Sequence, residues 1–206
     1  MPNSISYFYQ PKDGHGLAHD PFNSIIAPRP IGWISSQDSE GKVNLAPYSF
    51  FNAFNYHPPL IGFSSVGYKD SVRNIQQTGE FCWSLANFNL AQQMNMTSQA
   101  VPSAVDEFDL AKLDKQVAKV VGVPFVAASP VAMECKLSQI IQLQSAAGDL
   151  CDSWLVIGEV VGVHIAHELL LEGVYQTTAA EPILRGGGPG DYFSINETLK
   201  FVMPRP

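Results

Sequence analysis

At 206 residues, with 46% hydrophobic and 15% charged residues, the chain suits one large domain with a sizeable core. Its formal net charge of −7 speaks against nucleic acid or an anionic membrane as main partner. The three cysteines, Cys82, Cys135 and Cys151, are odd in number and form no CxxC pair, which argues against a disulfide framework or a zinc site and for reduced, buried thiols. The opening "MPNSISYFYQ" lacks the basic start and apolar core of a signal peptide. No uncharged apolar stretch reaches the roughly 18 residues of a spanning helix. Val120 to Met133 comes nearest, and Pro124 and Pro130 interrupt it. A cytoplasmic, soluble protein is expected.

In chain order, "PIGWISS" (Pro30–Ser36) reads as a strand, "QDSEGK" (Gln37–Lys42) as a turn, and "VNLAPYSFF" (Val43–Phe51) as the strand that pairs back. "PLIGFSS" (Pro59–Ser65) is a short apolar strand. "KDSVRNIQQTG" (Lys69–Gly79) carries helix signals: Asp70 or Ser71 as cap, Val72 and Ile75 three apart, Gly79 as stop. "EFCWSLA" (Glu80–Ala86) returns to strand, and "NLAQQMNMTSQ" (Asn89–Gln99) can form a second helix with Leu90, Met94 and Thr97 on one side. Ala100 to Pro124 reads as loop with "DEF" (Asp106–Phe108) at its centre. Two long β segments follow, Ser129–Gln144 and Ser153–His167, with Gly158 and Gly162 as bending points in the second. Many short strands with two or three helices predict a closed, mainly β barrel, one domain over residues 1–206 with its core near 25–170.

Two stretches could carry chemistry. In "GFSSVGYKDSVRN" (Gly62–Asn74) a strand ends and a helix begins at Lys69 to Ser71. The first turn of a helix has backbone N–H groups without partners and the positive end of the macrodipole. A phosphate there would meet those N–H groups, the Ser71 hydroxyl, Lys69 and Arg73. The plain alternative is an ordinary capped surface helix. In "KVNLAPYSFFN" (Lys42–Asn52), Pro47 removes a ladder donor in mid-strand. Ala46 is small enough for a ring to approach the main chain, and Ser49 and Asn52 offer side-chain hydrogen bonds. The alternative is a core strand with a proline bulge at a sheet edge. A ring site and a phosphate site on neighbouring elements would suit a mononucleotide.

"APRPIGWISSQDSEGKVNLAPYSFFNAFNYHPPLIGFSS", followed by "KDSVRNIQQTGEF", "MNMTS", "DEF" and "SPVAMECKL…VIGEVVGVHI", resembles the flavin reductase-like family of FMN-binding split-barrel proteins in order and spacing, from about Ala27 to Ile165. The resemblance implies a split β-barrel with short helices, a homodimer, and FMN near the subunit interface. It implies a phosphate held by Lys69, Asp70 and Ser71, with Ser in the last place where Thr is common. Ser35, Ser36 and the peptide with Asn44, Ala46, Pro47, Tyr48, Ser49 and Asn52 would line the flavin. Arg29 would lie at the entry to the first strand, and Ser64 and Ser65 near the ribityl chain or phosphate. Met94–Ser98 and Phe108 would reach the partner subunit's pocket, and Tyr192 would cover the ring.

The remaining features read as structural. No Ser-His-Asp order, metal-ligand spacing or dinucleotide fingerprint is present, so no catalytic side chain and no metal is assigned. "RGGGPG" (Arg185–Gly190) follows no strong strand and reads as a mobile loop; His57 reads as a loop residue. His164 and His167 fall on opposite strand faces and make a poor chelate. Glu159, a charge in an apolar run, faces a cationic partner at a dimer interface or solvent. The expected function is an FMN-dependent oxidoreductase of flavin reductase type. It would take hydride from NADH or NADPH and pass electrons to free flavin, a partner oxygenase or another acceptor. An FMN-binding electron-transfer protein with little NAD(P)H turnover, and a barrel that binds no flavin, are the alternatives.

Overall fold

The computed structural model describes residues 6–205; Met1–Ile5 of the segment read for a leader, and Pro206 of the predicted domain, lie outside them. In chain order the strands are β1 (Arg29–Pro30), β2 (Gly32–Gln37), β3 (Val43–Tyr48), β4 (Phe51–Asn55), β5 (Leu60–Val66), β6 (Glu80–Ser84), β7 (Lys115–Gln116), β8 (Phe125–Val126), β9 (Val131–Gln144), β10 (Leu150–Ile165), β11 (Leu170–Leu171), β12 (Val174–Tyr175), β13 (Ile183–Arg185) and β14 (Tyr192–Ser194). The helices are short: α1 (Phe22–Ile25), α2 (Asp70–Thr78), α3 (Ala91–Met96) and α4 (Glu107–Leu110).

One sheet holds seven strands in the order β3-β2-β6-β9-β10-β5-β4, all antiparallel. Its two edge strands, β3 and β4, are consecutive in the chain, with only Ser49 and Phe50 between them. Two residues cannot bridge the width of a flat seven-stranded sheet, since neighbouring strands are about 4.8 Å apart. The sheet therefore curls until its edges meet, and it stays unpaired at that seam. The closed barrel read from the strand pattern is thereby corrected to the split barrel that the resemblance implies.

The interior of the curl is filled by Ile34, Phe63, Phe81, Trp83 and Val156, with Val72 and Ile75 of α2 packed among them. Helix α2 is held to its predicted length. Gly79 takes the left-handed conformation (φ 73°) and its N–H closes onto the Ile75 carbonyl. A second cluster on the outer face joins Trp33 and Leu45 to Met94, Phe108 and Ile183. It anchors α3, α4 and β13 against the sheet. The Trp33 indole N–H donates to the buried Thr97 hydroxyl at 3.0 Å.

Several sequence expectations hold and several are corrected. The β2–β3 hairpin and the long β9–β10 ladder form as predicted, and the ladder shifts register beside Gly158 and Gly162. Gly158 is required because a Cβ there would lie 2.3 Å from the Phe81 ring. The run Val43–Phe51 is not one strand; it breaks at Ser49–Phe50, where the chain turns across the seam. The region from Ala100 to Pro124 contains α4, capped by Asp106, whose carboxylate accepts the Phe108 N–H at 2.9 Å. The Gly-rich tail forms the β13–β14 hairpin, and β13 also pairs with β1. Cys82 and Cys135 are buried and Cys151 half-buried, all as free thiols. Glu159 is exposed. No helix among the described residues is long and apolar enough to cross a membrane.

His164 binds a carboxylate. Its Nε2 lies 2.6 Å from Oε1 of Glu134, which is wholly buried. The Glu134 carboxylate also accepts the backbone N–H groups of Lys119, Val120 and Val121 at 2.8, 2.6 and 3.0 Å. Burial alone would raise its pKa, but these donors outweigh that and pull the Glu134 carboxyl from 4.5 down to about 2. Because the folded value is the lower one, its contribution is complete above the unfolded value of 4.5 and is lost as pH falls toward 2. Glu134→Gln should destabilise the protein by about 2–3 kcal/mol at pH 7. Urea titrations should show the gap to the parent protein shrinking steadily below pH 4.5; a gap independent of pH would refute the assignment.

Candidate functional site

Strand β3 is the wall on which the site is built. It pairs with β2 on one side only, Ile34 opposite Ala46 and Ser36 opposite Asn44. The Leu45 N–H points the other way, into the carboxylate of Glu107 at 3.0 Å. Pro47, two residues on, has the same orientation. A proline at that position therefore removes no donor from the β2–β3 ladder, which is how an edge strand accepts it.

Helix α2 begins beside this wall. Its N-cap residue is Lys69, in extended conformation and without a side-chain cap. Asp70 and Ser71, expected as caps, lie inside the first turn. Asp70 pairs with Arg73 at 2.6 Å, and Ser71, buried, accepts a hydrogen bond from Asn44 Nδ2 at 2.8 Å. The first N–H groups of α2 are thus left to a ligand or to water. Lys69 has no carboxylate partner among the described residues.

Lys69, Asp70 and Ser71 line a cavity of about 360 Å³ with Asn44, Ala46, Pro47 and Tyr48 on its β3 side and Thr97, Ser98 and Glu107 opposite in sequence. Pro47, Tyr48 and Ser98 also line a larger cavity of about 710 Å³, shared with Ser49, Met94, Ile183, Arg185, Tyr192 and Phe193. Pro47, Tyr48 and Ser98 form a shared boundary of the two. The Tyr48 ring packs on Phe63 with centroids 4.4 Å apart. Burial raises its phenol pKa, while the Ser71 and Ser65 hydroxyls beside it pull in the other direction. The Glu107 carboxyl is likewise raised by burial, partly offset by the Leu45 N–H.

The predicted residues thus separate into groups. Asn44, Ala46, Pro47, Tyr48, Ser49, Lys69, Asp70 and Ser71 converge on the two cavities. Ser35 and Ser36 do not reach them: Ser35 donates to the Pro124 carbonyl at 2.6 Å, and Ser36 accepts from Asn74. Ser65 donates to the Gly67 carbonyl at 2.8 Å, and the Ser64 N–H is bonded to the Phe50 carbonyl. Asn52 is exposed on β4 and accepts the Ala53 N–H. Arg29 is buried and engaged: its Nε donates to the Ser49 carbonyl at 3.2 Å, Nη1 to the Asn23 carbonyl, and Nη2 to Ser49 Oγ and the Gly186 carbonyl. It ties the N-terminal segment, the seam and the Gly-rich loop together. Arg185 holds that loop from within, donating to the carbonyls of Gly186, Gly187, Gly188 and Asp191. The loop read as mobile is thus a bonded hairpin turn.

Sequence reading missed Glu107, Arg185 and Ile183 as cavity residues, whereas Met94, Thr97 and Ser98 of the Met94–Ser98 stretch line the cavities of their own chain. For Glu107 a signal was present: Asp106 in "DEF" is the natural helix cap, which leaves the next acid to turn inward. Neither cavity is lined by a histidine or a cysteine. No cluster of metal-ligating side chains exists among the described residues. The arrangement can seat a ligand with an anionic end at α2 and an apolar, planar part along Pro47 and Tyr48. FMN fits this donor set in kind: uncapped helix N–H groups, a lysine and a buried hydroxyl for phosphate, and the small Ala46 and the N–H-free Pro47 of β3 for a ring.

Arg29 gives a direct test of the clasp. Arg29→Ala should lower stability by about 2–3 kcal/mol and speed amide exchange at Gly186–Gly190; unchanged exchange there would show that Arg185 alone holds the loop.

The sequence profile of the flavin reductase like domain matches residues 25–183. A protein of Halalkalibacterium halodurans is 34% identical over 187 residues, covering 88% of this chain and 87% of the relative. Nitrilotriacetate monooxygenase component B from Bacillus cereus superposes with a TM-score of 0.82 at 31% identity, over 98% of this chain and 96% of that one. A Shewanella frigidimarina protein with a split barrel domain superposes at 0.78 with 23% identity, over 89% and 90% of the two chains. That likeness supports the fold. With the curled sheet, its open seam and the cavities beside it, these matches point to flavin binding, and the chain belongs to the flavin reductase-like domain family.

Proposed function

We propose that the protein is an FMN-dependent oxidoreductase that takes hydride from NADH or NADPH and delivers electrons to a separate acceptor. One observation carries the reading: the uncapped start of α2, with Lys69 and Ser71, opens into a cavity continuous with the apolar wall Pro47–Tyr48. Phosphate at α2 would receive backbone N–H bonds, the lysine charge and a hydroxyl together. The Asp70 carboxylate is neutralised by Arg73 and does not oppose it. Ala46 presents only a methyl, and Pro47 no N–H, to a ring laid against β3.

FMN when bound supplies the redox chemistry, accepting a hydride and releasing two electrons. The protein's part is to bind, orient and shield. The larger cavity, with Phe88, Tyr192 and Phe193, offers a planar donor or acceptor apolar contact beside Pro47 and Tyr48. The Bacillus cereus neighbour is a component of a monooxygenase, and an oxygenase that consumes reduced flavin is our proposed class of acceptor system. We further propose a single-domain, cytoplasmic homodimer, supported by exposed apolar side chains at Phe54, Tyr56, Val163 and Leu171.

The visible spectrum after FMN loading and removal of free ligand comes first. Stoichiometric flavin bands that NADH or NADPH bleaches would support the oxidoreductase. Bands that neither donor bleaches would favour an electron-transfer protein instead. Lys69→Ala should weaken FMN binding by about tenfold, the range for one lost charge-assisted hydrogen bond; unchanged affinity would remove the phosphate from α2.

A further inference from the structure

Glu107 is 6% exposed, sits in the first turn of α4 and lines the same cavity as Lys69 and Ser71. No ion pair among the described residues uses it. A buried carboxylate without a cation requires hydrogen-bond donors. Glu107 has the Leu45 N–H at 3.0 Å and its own backbone N–H nearby. A carboxylate has about four acceptor positions, so about half of its capacity is left for something else in the cavity.

The main chain beside it has the same character. Along the outer edge of β3 the Leu45 donor is taken by Glu107 and Pro47 has none, so this stretch offers carbonyl acceptors and a carboxylate. Phosphate would be repelled here, and the face of a ring would gain nothing. The chemistry selects a group with several hydroxyl donors. Within FMN only the ribityl chain has them, and it joins the phosphate to the ring.

We propose that Glu107 is a ligand-recognition residue that accepts hydrogen bonds from the polyol chain of the bound flavin. This rests on the FMN reading of the cavity. Its chemistry is that of a carboxylate on vicinal hydroxyls, distinct from the Lys69 and α2 contact with the anion. The Leu45 bond fixes the carboxylate, so the strand that faces the ring and the acceptor that reads the chain are set by one contact.

The test compares dissociation constants for FMN, riboflavin and lumiflavin, which retain the polyol and phosphate, the polyol alone, and neither. The parent protein should bind riboflavin at least tenfold more tightly than lumiflavin; equal affinities would overturn the proposal without any variant. In Glu107→Gln, the amide oxygen can still accept the Leu45 N–H, but an NH₂ donor now faces the ligand's hydroxyls. FMN and riboflavin should each weaken about tenfold, and lumiflavin should stay within about twofold. Equal loss for all three, or loss for none, would overturn it. Lys69→Ala separates the two readings, since it should weaken FMN and spare riboflavin. If it spares FMN, the phosphate assignment fails and Glu107 stands. If the parent protein binds none of the three flavins, both fail together.

Discussion

The rest of the structure depends on a covalent constraint: the first and last strands of a seven-stranded sheet are joined by two residues. That link forces the sheet to close, but it also places the closure at a point where no ladder forms. The Phe50 carbonyl takes the Ser64 N–H, and Arg29 holds the Ser49 carbonyl, so the seam is braced without being paired. A closed barrel of this size would fill itself with side chains. Here the seam leaves the β3 edge accessible, and both cavities open along it. The site is a product of incomplete closure.

Buried polar groups around that edge serve one another. Asn44 is held to Ser71, and the Tyr48 phenol lies against Ser71 and Ser65. These contacts tie β3 to the start of α2. Asn74, one turn further along α2, donates to Ser36 at 3.4 Å, and its Oδ1 is the one buried side-chain oxygen left without a partner among the described residues. Such orphans are uncommon in native interiors.

Local chemistry was legible in the sequence wherever it was self-contained. The β2–β3 turn, the stop of α2 at Gly79 and the bends at Gly158 and Gly162 each depend on a few adjacent residues. Asn44, Ala46–Ser49 and Lys69–Ser71, which sequence marks out from a few adjacent residues, line the two cavities. What the sequence hid were contacts set by distant packing. Ser35 and Ser36 look like ligand residues in a hairpin, but Pro124 and Asn74 claim them from 89 and 38 residues away. Arg29 looks like a cofactor cation until Gly186, 157 residues on, is brought beside it. The tail looked mobile because its glycines mask the role of Arg185, which supplies the order that the backbone composition lacks.

The exposed edge of β3 bears on self-association as well. An open sheet edge ordinarily invites a foreign strand to dock, which leads to runaway aggregation. At β3 one outward donor is occupied by a buried acid and the next is abolished by an imino acid. A visiting strand would find carbonyls where it needs alternating donors and acceptors, and could not complete a ladder. The β3 edge of the seam can therefore stay open without offering a template for strand addition.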